Sequence, residues 1–138
     1  MGALAELRDE GKVRHVGISN VGLAQLEEAR AIVPVVSVQN RYSMSARDSE
    51  DVLDACAHDG LGFIPWFPLN AGSVEGGPIE DVARAHDASA MQVALAWLLQ
   101  HSPVMLPIPG TSSPAHLEQN IAAASLRLGA AELEQLAA

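Results

Sequence analysis

The chain has 138 residues, 49% of them hydrophobic, and a formal net charge of −9. That length suits one domain with a real core, and the apolar content excludes a disordered or low-complexity chain. The negative balance argues against nucleic acid or an anionic membrane surface as a partner, because Arg8, Lys12 and Arg14 are flanked by Glu6, Asp9 and Glu10.

The opening MGALAELRDEG reads as the end of an amphipathic helix, without the charged start and apolar run of a secretory signal. Charged or amide residues interrupt every helical stretch, so no membrane span is expected and a cytoplasmic location is. Gly11 stops the first helix, and Val13–Ile18 follows as a strand. Leu23–Ile32 is the next helix candidate and Val35–Gln39 the second strand. Asp48 or Ser49 can cap a helix over Ser49–His58 that ends at Gly60. Cys56, the only cysteine, falls inside that helix as a small buried hydrophobe, so neither a disulfide nor a cysteine-based metal site is expected.

Gly62–Phe67 is the third strand, and NAGSVEGGP after it is the only long glycine-rich loop. Helices follow over Ile79–His86 and Ser89–His101. The second is too apolar to lie exposed, which predicts that it packs on the sheet. A fourth strand over Met105–Ile108 and helices over Pro114–Ala123 and Ala131–Ala137 complete the chain. The histidines His15, His58, His86 and His101 show no metal-ligand spacing and read as structural.

Short strands alternating with helices indicate an α/β fold with a parallel sheet of right-handed units. Four such strands make about half of an eight-stranded (β/α)8 barrel, which usually needs roughly 250 residues. A half barrel leaves open strand edges, so another segment or a second copy of the chain, as a homodimer, is expected to complete the sheet.

Parallel strands place all their carboxyl ends on one edge. That edge carries Ser19–Asn20, Gln39–Asn40, Trp66 to Leu69, and Ile108 to Ser112. Amides suit a carboxamide, an aromatic face suits a flat heterocycle, and a helix N-terminus suits a phosphate. Together they fit a nicotinamide nucleotide better than a sugar or a peptide.

GKVRHVGISN, VVSVQNRYS, GFIPWFPL, QVALAWLLQ and PIPGTSSPAHLEQN stand in the order and spacing of the aldo-keto reductase family. The resemblance covers residues 1–138 but only the second, cofactor-binding half of that family's TIM barrel. It implies that Ser19, Asn20 and Gln39 hold the nicotinamide carboxamide and that Trp66 stacks on the ring. Leu69 would contribute backbone at the start of a loop over the pyrophosphate. Gly110, Thr111 and Ser112 would cradle the 2′-phosphate region, with His116, Gln119 and Asn120 toward the adenosine. Each has a structural competitor: Asn20 as a helix cap, Gln39 as a plain sheet-end amide, Trp66 as a core ring, His116 as an ordinary surface residue. Trp97 reads as core.

The resemblance implies NADP(H) ahead of NAD(H), although Gly110 and His116 stand where the family often has Lys and Arg, the better phosphate partners. It also implies reduction of a small aldehyde or ketone by hydride transfer. The family's catalytic Asp, Tyr, Lys and His all belong to its first half, and none is matched here. Tyr42, the only tyrosine, falls at a variable position and is not assigned as the acid. Met1 lies within what resembles a family helix, which points to a truncated frame, a misplaced start or a deliberate cut. The chain alone is therefore expected to be inactive. The alternatives are a non-catalytic half barrel that binds a dinucleotide or a partner chain and dimerises, or a catalytically dead structural remnant.

Overall fold

The computed structural model describes residues 1–69 and 77–137. Its elements, in order, are α1 (Gly2–Asp9), β1 (Val16–Ser19), α2 (Leu23–Ile32), β2 (Val35–Gln39), α3 (Glu50–Asp59), β3 (Gly62–Phe63), α4 (Pro78–Ala85), α5 (Ala90–His101), α6 (Pro114–Ala122), a 3₁₀ turn (Ala123–Ser125) and α7 (Ala130–Ala137). The three strands form a parallel sheet in the order β1-β2-β3. Met105 adds one more parallel bridge, to Phe63.

Strand register sorts the side chains into two rows. Ile18, Val38 and Phe63 are partners across the sheet, with Met105 beyond, and Val38 and Phe63 are wholly buried beneath the helices. α3 contributes Val52, Leu53 and Cys56 to that core, and α5 contributes Val93, Trp97 and Leu98. The other row, Gly17, Ser37 and Gly62, ends on Leu106, which is 56% exposed. Among the described residues, the small side chains of this row are covered by no helix. One face clothed by helices and one face bare is the arrangement of part of a (β/α)8 barrel, whose bare side is the barrel interior.

Several boundaries differ from those read in the sequence. β1 starts at Val16 rather than Val13, because Gly11 adopts a left-handed φ of 74° and folds the chain back on α1. Lys12 and Val13 then donate to the Leu7 carbonyl, which commits their backbone to the helix end. β3 stops at Phe63, although Ile64 N–H still donates to Val38 O at 2.8 Å. The ladder resumes where Trp66 N–H donates to Asn40 O at 3.0 Å and Trp66 bridges to Arg41.

The expected fourth strand, Met105–Ile108, is only that single bridge. Phe63 donates to Val104 O and receives from Leu106 N–H, both at 2.8 Å, but Pro65 has no N–H to give to the Leu106 carbonyl, so the pairing goes no further. Helix ends move by a residue or so. Pro78 takes the first position of α4, a residue before Ile79, where its missing N–H is harmless. Ser89 caps α5 with Gln92 in a reciprocal box. Ser49 stands at the cap position of α3, but its side chain does not cap.

Phe63 is buried on all sides, its ring meeting Tyr42 edge-on at 5.7 Å. Replacing it by alanine is expected to cost about 3–5 kcal/mol, read as a lower urea midpoint with an unchanged slope.

Candidate functional site at the carboxyl edge of the sheet

β1 and β2 end side by side, Ser19 opposite Gln39. Both stand on the row that continues the bare face, one step above Gly17 and Ser37. The Gln39 main-chain carbonyl takes two bonds, from Ser19 Oγ at 2.8 Å and from Asn20 N–H at 3.0 Å. Asn20 turns the chain out of the strand with a left-handed φ of 56°, a conformation asparagine tolerates better than most residues. Its Nδ2 donates to Ser19 Oγ at 3.2 Å, and its Oδ1 accepts from Trp66 Nε1–H at 2.9 Å. The Ser19, Asn20 and Trp66 side chains and the Gln39 main-chain carbonyl therefore meet in one network.

The competing structural readings divide clearly. Asn20 does not cap α2; Gly22 holds the cap position, and its N–H is bonded by Gln25. Trp66 is only half-buried, its edge on Asn20 and one side near Phe67, whereas Trp97 is buried in the core. The Gln39 side-chain amide makes no hydrogen bond among the described residues and keeps its full donor and acceptor capacity. Leu69 is half-buried against the core. Residues 70–76 of the glycine-rich loop lie outside the described residues.

The second group lies apart from the first. Gly110, Thr111, Ser112, His116 and Gln119 are exposed along the approach to α6 and on its surface, and Asn120 is half-buried. Thr111 Oγ1 accepts from Ser113 N–H at 3.1 Å, and Ser113 caps α6 by accepting from His116 N–H. Among the described residues no hydrogen bond or ring contact joins this group to Ser19, Gln39 or Trp66. It presents a solvated turn and a free helix N-terminus.

Sequence reading missed three supports. Asn40 is buried, accepts from Val21 N–H at 3.1 Å, and donates to Val21 O at 2.7 Å and to Ser49 Oγ at 3.2 Å. It therefore ties the β1–α2 turn and the start of α3 to the end of β2, which is why Ser49 does not cap.

Tyr42 is also buried, with its hydroxyl donating to Glu50 Oε2 at 2.5 Å. His101 Nε2 lies 2.7 Å from Glu50 Oε1 and 2.9 Å from the Tyr42 hydroxyl. Burial, with the adjacent Glu50 carboxylate, pushes the Tyr42 phenol far above its ordinary range. Facing α3 and α5 rather than the bare side, and held protonated, Tyr42 is a structural residue. The third support is Arg47, stacked 4.7 Å over Trp97, whose ring also lies 4.4 Å from that of His101. The Cys56 thiol, pushed up to about 11 chiefly by burial, is unreactive at neutral pH.

A polar hollow lined by Arg8, Asp9, Gly11, Val13 and Arg14 lies before β1, at the opposite edge from these groups. It takes no part in the site.

The Aldo/keto reductase family model matches residues 1–77 and 75–138. The chain belongs to that family. It is 48% identical over 134 residues to pyridoxine 4-dehydrogenase of Escherichia coli, covering 96% of this chain and 47% of that protein. It superposes on the crystal structure of a thermostable aldo-keto reductase in complex with the inhibitor epalrestat with a TM-score of 0.91 and 31% identity. That match covers 98% of this chain and 52% of the other. An aldo-keto reductase from Klebsiella pneumoniae in complex with NADPH matches with a TM-score of 0.88 and 30% identity, over 97% of this chain and 50% of the other. The chain thus spans about half the length of the relatives it matches.

Burial alone would raise the Glu50 carboxyl, but hydrogen bonds from Tyr42 and His101, helped by Arg47, hold it below its ordinary value. A carboxyl depressed in the folded state stabilises the protein above its unfolded pKa and loses that contribution as pH falls through the folded value. Glu50→Gln is therefore expected to flatten the acid side of the stability profile, from about pH 4.3 downward. Urea midpoints measured across that range check it.

Proposed function

We propose that this chain is the cofactor-holding half of an NADP(H)-dependent oxidoreductase that interconverts a small carbonyl compound and its alcohol. The observation carrying this reading is the convergence of Ser19, Asn20, Gln39 and the Trp66 face at one strand edge. The donor set fits a nicotinamide. Among the described residues the Gln39 amide has no partner and can donate and accept, and Asn20 keeps one N–H beyond its bond to Ser19. The exposed side of Trp66 offers a stacking surface. NADPH in complex with the Klebsiella relative supports the choice of cofactor.

When bound, the nicotinamide supplies the hydride; the chain's own residues hold and orient it. Ser19, Asn20 and Gln39 would fix the carboxamide and hence the ring face, while Trp66 excludes water from the opposite side. Leu69 would place backbone beside the pyrophosphate. Gly110, Thr111 and Ser112, with the N-terminus of α6, would take the adenosine phosphate, and His116, Gln119 and Asn120 would flank the adenine side. Buried Tyr42 is no proton donor, since its hydroxyl is committed to Glu50. The acid for carbonyl reduction would belong to the other half of the barrel, and turnover would require both halves.

Titration of NADPH with the chain is expected to change the nucleotide's emission. Asn20→Ala is expected to weaken binding by at least about ten-fold, since it frees the Trp66 edge and removes an amide. An unaltered emission at all protein concentrations would overturn this reading.

The bare sheet face supports a second reading, in which two copies cover each other's Gly17–Ser37–Gly62 row and the exposed Leu106. It predicts a dimer by light scattering; a monodisperse monomer rules it out.

A further inference from the structure

The cations of this acidic chain can be followed one by one. Arg8, Lys12, Arg30 and Arg84 each face a carboxylate. Arg47 and Arg127 donate to main-chain carbonyls, and Arg14 lies before β1 at the amino edge. Arg41 differs from all of these. It stands two residues beyond Gln39 at the carboxyl edge, is exposed, and meets neither a carboxylate nor a carbonyl among the described residues.

Its direction follows from its neighbours. Asn40 and Tyr42 are buried toward the helices, so Arg41 between them leaves on the bare side, in the same row as Ser37 and Gln39. Its contact there is the ring of Phe67, with the guanidinium carbon 5.9 Å from the centroid. Phe67 is itself unusual. It holds a left-handed φ of 60° although it is not glycine, is 43% exposed, and lies with its ring 6.2 Å from that of Trp66. A large apolar residue kept strained and solvent-facing beside a candidate site is a feature associated with function.

We propose that Arg41, braced on Phe67, selects a carbonyl substrate that carries an anionic group, a carboxylate or a phosphate ester. The inference rests on the nicotinamide reading of Gln39 and Trp66, which places the reacting end of the substrate just below Arg41. A free, planar, fork-shaped cation is the group suited to bind such an anion in two-point fashion. The cofactor's own phosphates are the other source of that chemistry. They are assigned to the Gly110–Asn120 segment, which follows Met105 and is separated from β2 by β3.

The test uses the chain both free of cofactor and with saturating NADP+, and a matched pair of probes, glycolaldehyde and glycolaldehyde phosphate, followed through the Trp66 indole N–H signal in NMR. The phosphate ester is expected to bind at least about ten-fold more tightly than the neutral aldehyde. Arg41→Gln is expected to erase that gap and Arg41→Lys to keep part of it. An undiminished gap in Arg41→Gln overturns the proposal. So does displacement of the phosphate ester by NADP+ together with weaker NADP+ binding in Arg41→Gln, which would assign the guanidinium to the cofactor. If NADPH does not bind but the two probes still separate through Arg41, the anion site stands and the cofactor reading falls.

Discussion

The buried amide of Asn40 is the constraint on which the carboxyl edge depends. A parallel sheet brings strand ends to one side but does not by itself fix the turns that leave them. Asn40 does so by satisfying both main-chain groups of Val21 while also holding Ser49. An unmade hydrogen bond at such a buried amide costs about 1–3 kcal/mol, so the three connections stand or fall together. With the β1–α2 turn pinned, Asn20 can bridge Ser19 and Trp66, and the Gln39 carbonyl can take both bonds from β1. The site is thus held by a polar clamp beneath it, on the helix side of the sheet.

The same division runs through the whole fold. Bulky residues and the Tyr42, Glu50 and His101 cluster occupy the side packed by α3 and α5. Small residues and free polar groups occupy the other. Tyr42 illustrates the consequence: a residue type often used for proton transfer is removed from chemistry by burial and by a committed hydroxyl. Gln39 illustrates the opposite, a side chain on a rigid strand with its hydrogen-bonding capacity unspent.

Much of this was legible in the chain. Alternating apolar strands and helices announced a parallel α/β sheet, Gly60 and Ser89 marked real helix boundaries, and the ends of β1 and β2 meet Trp66 as their positions implied, while Gly110 to Ser112 lies apart from them. The length of the fourth strand was not legible, because it depends on a donor that Pro65 lacks on the neighbouring strand. The clamp was hidden for a different reason. Asn40 meets Val21 across 19 positions and Tyr42 meets His101 across 59, and no local pattern encodes such pairings. Arg41 was hidden likewise: a cation between two buried residues reads as surface until the fold shows which surface.

Asn20 and Phe67, two of the left-handed non-glycine residues, both contact Trp66. At both, the backbone is held where the side chain's contacts require it rather than where the residue would rest. The contacts these side chains make and the turns that carry them are then joined, so a change at either residue is felt in both. Variation at this edge is therefore constrained to move in concert: a single exchange alters recognition and the turn that presents it at once. New specificities are more readily gained at positions such as 41, where the backbone is already secured by its neighbours on either side.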